Sequence, residues 1–305
     1  MNLRQFFAIV EIRTKFISLS TYLIATLYAY YRGGYFDPLK AILMLVATLL
    51  VDMGTTGFNT YFDYWRGVDS SFYNREESKV VVHEGVPWLW ALLISLALFA
   101  LALPIGIALA MLSGWPVIPI GAACMAIGYL YTGGPYPISR TPFGEFFAGA
   151  TLGTVLFLLV YYIQAGPPDG RAFLVSLPSS LLIAAILTVN NTCDRLGDEA
   201  AGRKTLSILL GRLGGELWGI LEVMAGFAVL AYLGFSGRLP GWAPFVVIPA
   251  IAFSIREFVL MHRRGYSHDT KGASMASISR IFQYYTIAAL IILIGGIIDH
   301  SVKNL

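Results

Sequence analysis

Two short stretches hold the residues best suited to chemistry. In Asn59-Thr60-Tyr61-Phe62-Asp63-Tyr64-Trp65-Arg66-Gly67-Val68-Asp69, the four-residue spacing puts Asn59 and Asp63 on one face of a helix. Gly67 can release that helix and let Asp69 fold back toward the same face. In Asn190-Asn191-Thr192-Cys193-Asp194-Arg195-Leu196-Gly197-Asp198-Glu199, one helical stripe holds Asn190, Asp194 and Asp198. The pairs Asn59/Asp63 and Asn190/Asp194 are offset by 131 residues, which suggests an internal parallel repeat whose two halves share one site.

An all-oxygen donor set selects a hard cation, and Mg²⁺ is usually held by one or two carboxylates together with phosphate oxygens and water. Asp63, Asp69, Asp194 and Asp198 are therefore candidate metal ligands and catalytic groups, and the implied ligand is a diphosphate. Four carboxylates, two Mg²⁺ and a diphosphate sum to roughly −3, so basic side chains are needed nearby. Arg66, Arg75 and Lys79 follow the first stretch, and Arg195, Arg203 and Lys204 follow the second. Of these, Arg66, Lys79, Arg195 and Lys204 join Asn59 and Asn190 as candidate diphosphate contacts. The arginines would also suit a cytoplasmic loop with no ligand at all.

The elements that position these residues lie in lipid. Hydrophobic residues make up 57% of the 305 and charged residues 13%, and the mean hydropathy is +0.69. Apolar runs such as Ala41–Leu50, Leu89–Leu112, Phe146–Tyr162, Leu217–Leu233 and Tyr284–Ile298, with weaker ones at Ile17–Tyr31 and Ile118–Tyr131, predict about nine spans. Backbone groups cannot stay unpaired in hydrocarbon, so the expected class is all-α, a polytopic membrane bundle. A single domain over 1–305 is expected, with motif loops at about 59–85 and 190–215. The first apolar stretch follows Arg4, Arg13 and Lys15 and leads to no small-residue cleavage site, so it should remain as the first helix. If the spans alternate, 16 of the 21 basic residues fall on one side and 5 on the other. The positive-inside rule then puts the amino terminus and both motifs in the cytoplasm and the carboxyl terminus outside. No nucleic-acid partner is expected, and Cys124 and Cys193 make no disulfide framework. Asp52 and Glu222, inside spans, could act in function or simply bond a neighbouring helix, while the four histidines show no metal-ligand spacing.

In residue type, spacing and helix order, Asn59-x₃-Asp63-x₅-Asp69 and Asn190-x₃-Asp194-x₃-Asp198 resemble the two aspartate-rich motifs of the UbiA superfamily of intramembrane prenyltransferases. Within it the chain is most similar to the menaquinone branch, which prenylates 1,4-dihydroxy-2-naphthoate. The similarity is carried by Arg13-Thr14-Lys15, Tyr131-Thr132-Gly133-Gly134-Pro135-x-Pro137, Gly144-Glu145 and Gly202-Arg203-Lys204-Thr205-Leu206. The branch's common Asn-x-x-Asn-Asp-Tyr-Phe-Asp reads Thr56-x-x-Asn59-Thr60-Tyr61-Phe62-Asp63 here, which keeps the metal positions.

The resemblance implies a nine-helix bundle in which Mg²⁺ bridges Asp63, Asp69, Asp194 and Asp198 to a polyprenyl diphosphate. Diphosphate departure leaves an allylic cation, which Tyr61, Phe62, Tyr129 or Tyr131 could face. An aromatic acceptor then attacks, and a dihydroxynaphthoate would lose CO₂. Tyr131 and Lys15 are the candidates for orienting it. Enzyme alternatives change the acceptor or dispense with it, as in a membrane terpene cyclase. A secondary transporter would also accommodate Asp52 and the repeat.

Overall fold

The computed structural model describes residues 1–67 and 80–303, so Asp69, Arg75 and Lys79 lie outside the described residues. Among the described residues nine long helices follow one another: α1 Phe16–Gly33, α2 Pro38–Trp65, α3 Leu89–Ser113, α4 Val117–Thr132, α5 Gly144–Ala165, α6 Gly170–Ala200, α7 Leu206–Phe235, α8 Ala243–Arg264 and α9 Lys271–Lys303. No strand occurs among the described residues. Seven of the helices are long and apolar enough to cross a membrane. The other two are α4, which has 16 residues, and α1, whose Ser18, Ser20, Thr21, Tyr22 and Tyr28 are buried and make it less apolar. The chain is an integral membrane helical bundle.

Helix ends follow from local chemistry. Asp37 caps α2 by accepting from the Lys40 N–H at 3.1 Å, with Pro38 in the first turn, where its missing N–H costs nothing. Asp169 caps α6 by accepting from Ala172 N–H at 2.9 Å. Arg66 ends α2, and Gly67 follows in the left-handed region at φ 69°, the release expected of it.

One expectation is corrected. Residues 190–215 are not a loop: α6 runs on to Ala200 and α7 starts at Leu206. The polarity of Asp194-Arg195-Leu196-Gly197-Asp198-Glu199 marks a helix emerging from hydrocarbon rather than ending, so Asp194 and Asp198 stay on the rigid stripe begun by Asn190. The break comes later, inside the first turns of α7, where Gly211 has φ 71°.

Helix α6 is the hub, packing against α5, α7 and α9, with 67% of its apolar window buried. Helix α2 packs on α3 and α4, and α1 on α5 and α9. The α5–α6 contact is close because Gly149 and Gly153 face Ser180 of α6, where a Cβ on Gly153 would come within 2.4 Å of the Ser180 backbone. A π-helical turn at Ala150–Val155 relays α5 at that point, and Thr154, Ser180 and Ser176 bond one another through their hydroxyls. Helix α4 packs on α2 and α3 but makes no extensive contact with α5.

Candidate active site

The motifs of α2 and α6 face one cavity of about 1090 Å³. Asn59, Asp63, Asn190, Asp194 and Asp198 all line it, so the side chains grouped by spacing do meet. Its remaining wall is largely apolar and comes from α2, α3, α4, α5, α6 and α9, with the start of α1 and the segment just before it.

What joins the two motifs is Arg203. Its guanidinium lies 2.7 Å from Asp63 Oδ1 and 3.2 Å from Asp198 Oδ1, bridging α2 and α6. The connection between α6 and α7 explains how it gets there. The Arg203 N–H donates to Asp198 O at 2.9 Å, and Gly202, at φ 71°, turns the chain back over the end of α6. Arg140 fixes this turn by donating to Ala201 O at 2.7 Å and accepting from Lys204 N–H at 3.0 Å. Burial by itself would lower the pKa of Arg203, but Asp63 and Asp198 outweigh it and raise the pKa, so the bridge stays charged.

Lys271, in the first turn of α9, reaches Asp194 Oδ2 at 2.6 Å, and His268 Nδ1 lies 3.6 Å from Asp194 Oδ1. Thr132 donates to Asn59 Oδ1 at 2.8 Å, and Asn191 donates to the buried Glu145 at 2.8 Å. Tyr131 lines the cavity within electrostatic reach of Glu145, Arg203, Asp63 and Asp198.

Lys15 also lines the cavity, but its ammonium is committed. It donates to Asp52 Oδ1 at 2.7 Å, to Thr56 Oγ1 at 2.5 Å and to Asp52 O at 3.4 Å, while Ser18 holds the other Asp52 oxygen at 2.6 Å. Asp52 thus bonds the start of α1. Glu222 likewise accepts from Thr188 and Trp218 at 2.8 and 2.9 Å.

Several candidates fall elsewhere. Arg66 spends its guanidinium on the carbonyls of Thr132 and Gly134 and stacks 5.3 Å over Phe62, so it pins the turn after α4 and does not line the cavity. Arg195 and the exposed Lys204 do not line it either. Tyr61, Phe62 and Tyr129 belong to an aromatic cluster with Phe58 and Trp88 outside the cavity wall, so of these four candidate rings Tyr131 is the one that lines it, together with Phe16 and Phe147. The sequence pattern favours Lys204 over Arg203, a choice the structure reverses, and it does not point to Lys271 or His268. The one available signal was Gly202, which sends its neighbour back toward Asp198.

The donors suit Mg²⁺ held partly through phosphate oxygens. Among the described residues no three His, Cys, Asp or Glu side chains form a closed metal cage. Asp198 Oδ2 is nevertheless buried without a hydrogen-bond partner, an unclaimed carboxylate oxygen at the polar end of the cavity. A metal sharing its coordination sphere with a diphosphate needs few protein oxygens and an open side, and this end of the cavity supplies both.

The UbiA prenyltransferase family profile matches residues 18–281. The chain is 36% identical over 230 residues to the 1,4-dihydroxy-2-naphthoate octaprenyltransferase of Bacillus subtilis (strain 168), covering 73% of this chain and 72% of that one. It is 34% identical to the protein of the same name from Mycobacterium tuberculosis over 56% of this chain and 58% of that one. Among solved structures, a UbiA homolog from Archaeoglobus fulgidus bound to GPP and Mg²⁺ superposes with a TM-score of 0.69 at 14% identity, covering 95% of this chain and 99% of that one, which is a likeness of fold.

Proposed function

Since the chain belongs to the UbiA prenyltransferase family, we propose that this integral membrane prenyltransferase moves a polyprenyl group from its diphosphate to 1,4-dihydroxy-2-naphthoate in menaquinone biosynthesis, releasing diphosphate and CO₂. The observation that carries the reading is the meeting of Asp63, Asp194 and Asp198 with Arg203 and Lys271 at one polar end of a long apolar cavity. A head with several negative charges and an oily tail fits that division. The acceptor assignment is supported by the Bacillus subtilis relative.

In this reading Asp63, Asp194 and Asp198 would hold Mg²⁺, with Asp69 outside the described residues as a fourth ligand and Asn59 and Asn190 beside them. Bound there, Mg²⁺ would supply positive charge to the departing diphosphate. Arg203 and Lys271 add fixed positive charge at the same end. As the allylic carbon–oxygen bond breaks, its electron pair leaves with the diphosphate. The cation forms next to Tyr131, whose ring face can stabilise it. The ring carbon that carries the acceptor's carboxylate forms the new carbon–carbon bond, and cleavage of its bond to the carboxylate releases CO₂ and returns that electron pair to the ring. The bundle wall excludes water that would otherwise quench the cation. Lys15 can orient an acceptor carboxylate only by giving up a bond to Asp52 or Thr56. The whole chain acts as one domain, with the amino terminus and site cytoplasmic and the carboxyl terminus outside.

The test is incubation of purified, detergent-solubilised protein with a polyprenyl diphosphate and 1,4-dihydroxy-2-naphthoate, with and without Mg²⁺, followed by product mass. A prenylated, decarboxylated naphthoquinol formed only with Mg²⁺ is expected, and diphosphate release with a different product would replace the acceptor. Asp63→Asn and Asp194→Asn should each lower kcat at least ~100-fold, the scale of a lost electrostatic contact to the transition state. Near-normal turnover in both would remove their metal roles.

A further inference from the structure

Glycine inside a helix is destabilising by about 1 kcal/mol relative to alanine, so each one within a spanning helix needs a reason. For most, packing supplies it. A Cβ on Gly128 of α4 would lie 2.3 Å from Thr55 Oγ1, and one on Gly57 of α2 would lie 2.3 Å from Ser95 Oγ. Gly106 of α3 and Gly121 of α4 are different. Neither has an atom within 4 Å of where its Cβ would stand, and both line the cavity that begins at Asp63 and Asp198. Packing does not demand their smallness; it leaves space in the apolar arm. That the other end of this cavity receives a ligand head is indicated independently by the buried, partnerless Asp198 Oδ2.

The depth of this open point follows from helix geometry. Gly128 meets Thr55 and Thr132 bonds Asn59, so α2 and α4 run in register, and Gly121 lies level with Thr48, which also lines the cavity. Ten residues separate Gly121 from Tyr131 at the polar end, or about 15 Å at ~1.5 Å per residue. A five-carbon isoprene unit adds four carbon–carbon bonds of about 1.5 Å, roughly 5 Å of extended length. The third unit of a tail whose first carbon sits beside Tyr131 therefore arrives at Gly121.

We propose that Gly121, with Gly106 facing the same arm, sets the donor length by keeping the cavity open beyond the third isoprene unit. Dimethylallyl and geranyl tails end before this point, a farnesyl tail reaches it, and longer tails must pass it. The proposal rests on the reading of the chain as a polyprenyl-diphosphate transferase.

The experiment compares full-length Gly121→Leu and Gly121→Phe with the unaltered protein, using geranyl, farnesyl and geranylgeranyl diphosphates with 1,4-dihydroxy-2-naphthoate. Both diphosphate release and donor-induced thermal stabilisation are measured. The ratio of kcat/KM for geranylgeranyl over geranyl transfer should fall at least tenfold in Gly121→Phe and by less in Gly121→Leu, and stabilisation by the long donor should fall in the same order. An unchanged ratio in both variants, or equal loss with every donor, overturns the proposal. Failure of the unaltered protein to release diphosphate from any donor sinks the functional reading instead.

Discussion

Arg203 gives the sharpest test of how the site is held. Replacing it with methionine keeps most of the side-chain volume and removes the charge between Asp63 and Asp198. The side chains of Arg203, Asp63 and Asp198 are 12%, 20% and 6% exposed, so the carboxylates left behind have little access to water. Removing one partner of a buried ion pair costs about 3–5 kcal/mol, and the partial exposure of Asp63 favours the lower end, about 3 kcal/mol. At roughly 2 °C per kcal/mol for a large chain, Arg203→Met should melt about 6 °C below the unaltered protein in detergent. Adding Asp198→Asn removes one uncompensated charge and should recover about half of that loss, a coupling well above the ~0.5 kcal/mol at which independent sites add. Mg²⁺ with pyrophosphate should raise the melting temperature of Arg203→Met more than that of the parent, because the cation supplies charge that the guanidinium no longer does. The assay is a thermal melt of the purified protein followed by tryptophan fluorescence or by loss of monodisperse material. An Arg203→Met protein melting within 1 °C of the parent, or a double variant less stable than the single one, would refute the bridge.

Lys15→Met should be destabilised by a similar amount, about 3 kcal/mol, because it strands Asp52 beside Ser18. Asp52→Asn in the same background should restore most of the stability in a thermal melt, and absence of rescue would separate the two residues. For topology, a cysteine replacing Asp169 at the start of α6, in a Cys124→Ala/Cys193→Ala background, should react with a membrane-impermeant maleimide added outside intact cells. Labelling only after lysis would reverse the proposed orientation.

The polar framework was legible because spacing alone decides which residues share a helical face. Asn190, Asp194 and Asp198 recur at the helical repeat, and the matching Asn59 and Asp63 identified a second helix with the same task. Partners from distant parts of the chain were not legible. Residue type does not separate Arg203 from Lys204; the left-handed turn at Gly202 is the one local hint, and the turn is completed by Arg140 from a distant part of the chain. Lys271 meets Asp194 across 77 residues, and Lys15 meets Asp52 across 37. Aromatic rings near a motif were also ambiguous. Helical phase turns Tyr131 toward the cavity and Tyr129 toward Phe58, a rotation set by how α4 packs on α2. The helix boundary after Asp194 was misjudged because polarity signals departure from hydrocarbon, not the end of a helix.

The brevity of α4 also bears on the surrounding lipid. Sixteen residues measure about 24 Å, some 6 Å less than a typical hydrocarbon core of ~30 Å. Exposed Trp115 precedes the helix and exposed Tyr136 follows it, two rings of the kind that settle at headgroup level on opposite leaflets. The acyl chains beside α4 must shorten, tilt or splay to meet those rings, at a fraction of a kcal/mol for each ångström of mismatch. Reconstitution in lipids of shorter and longer acyl chains is therefore expected to change turnover, with the thinner bilayer the better match to α4.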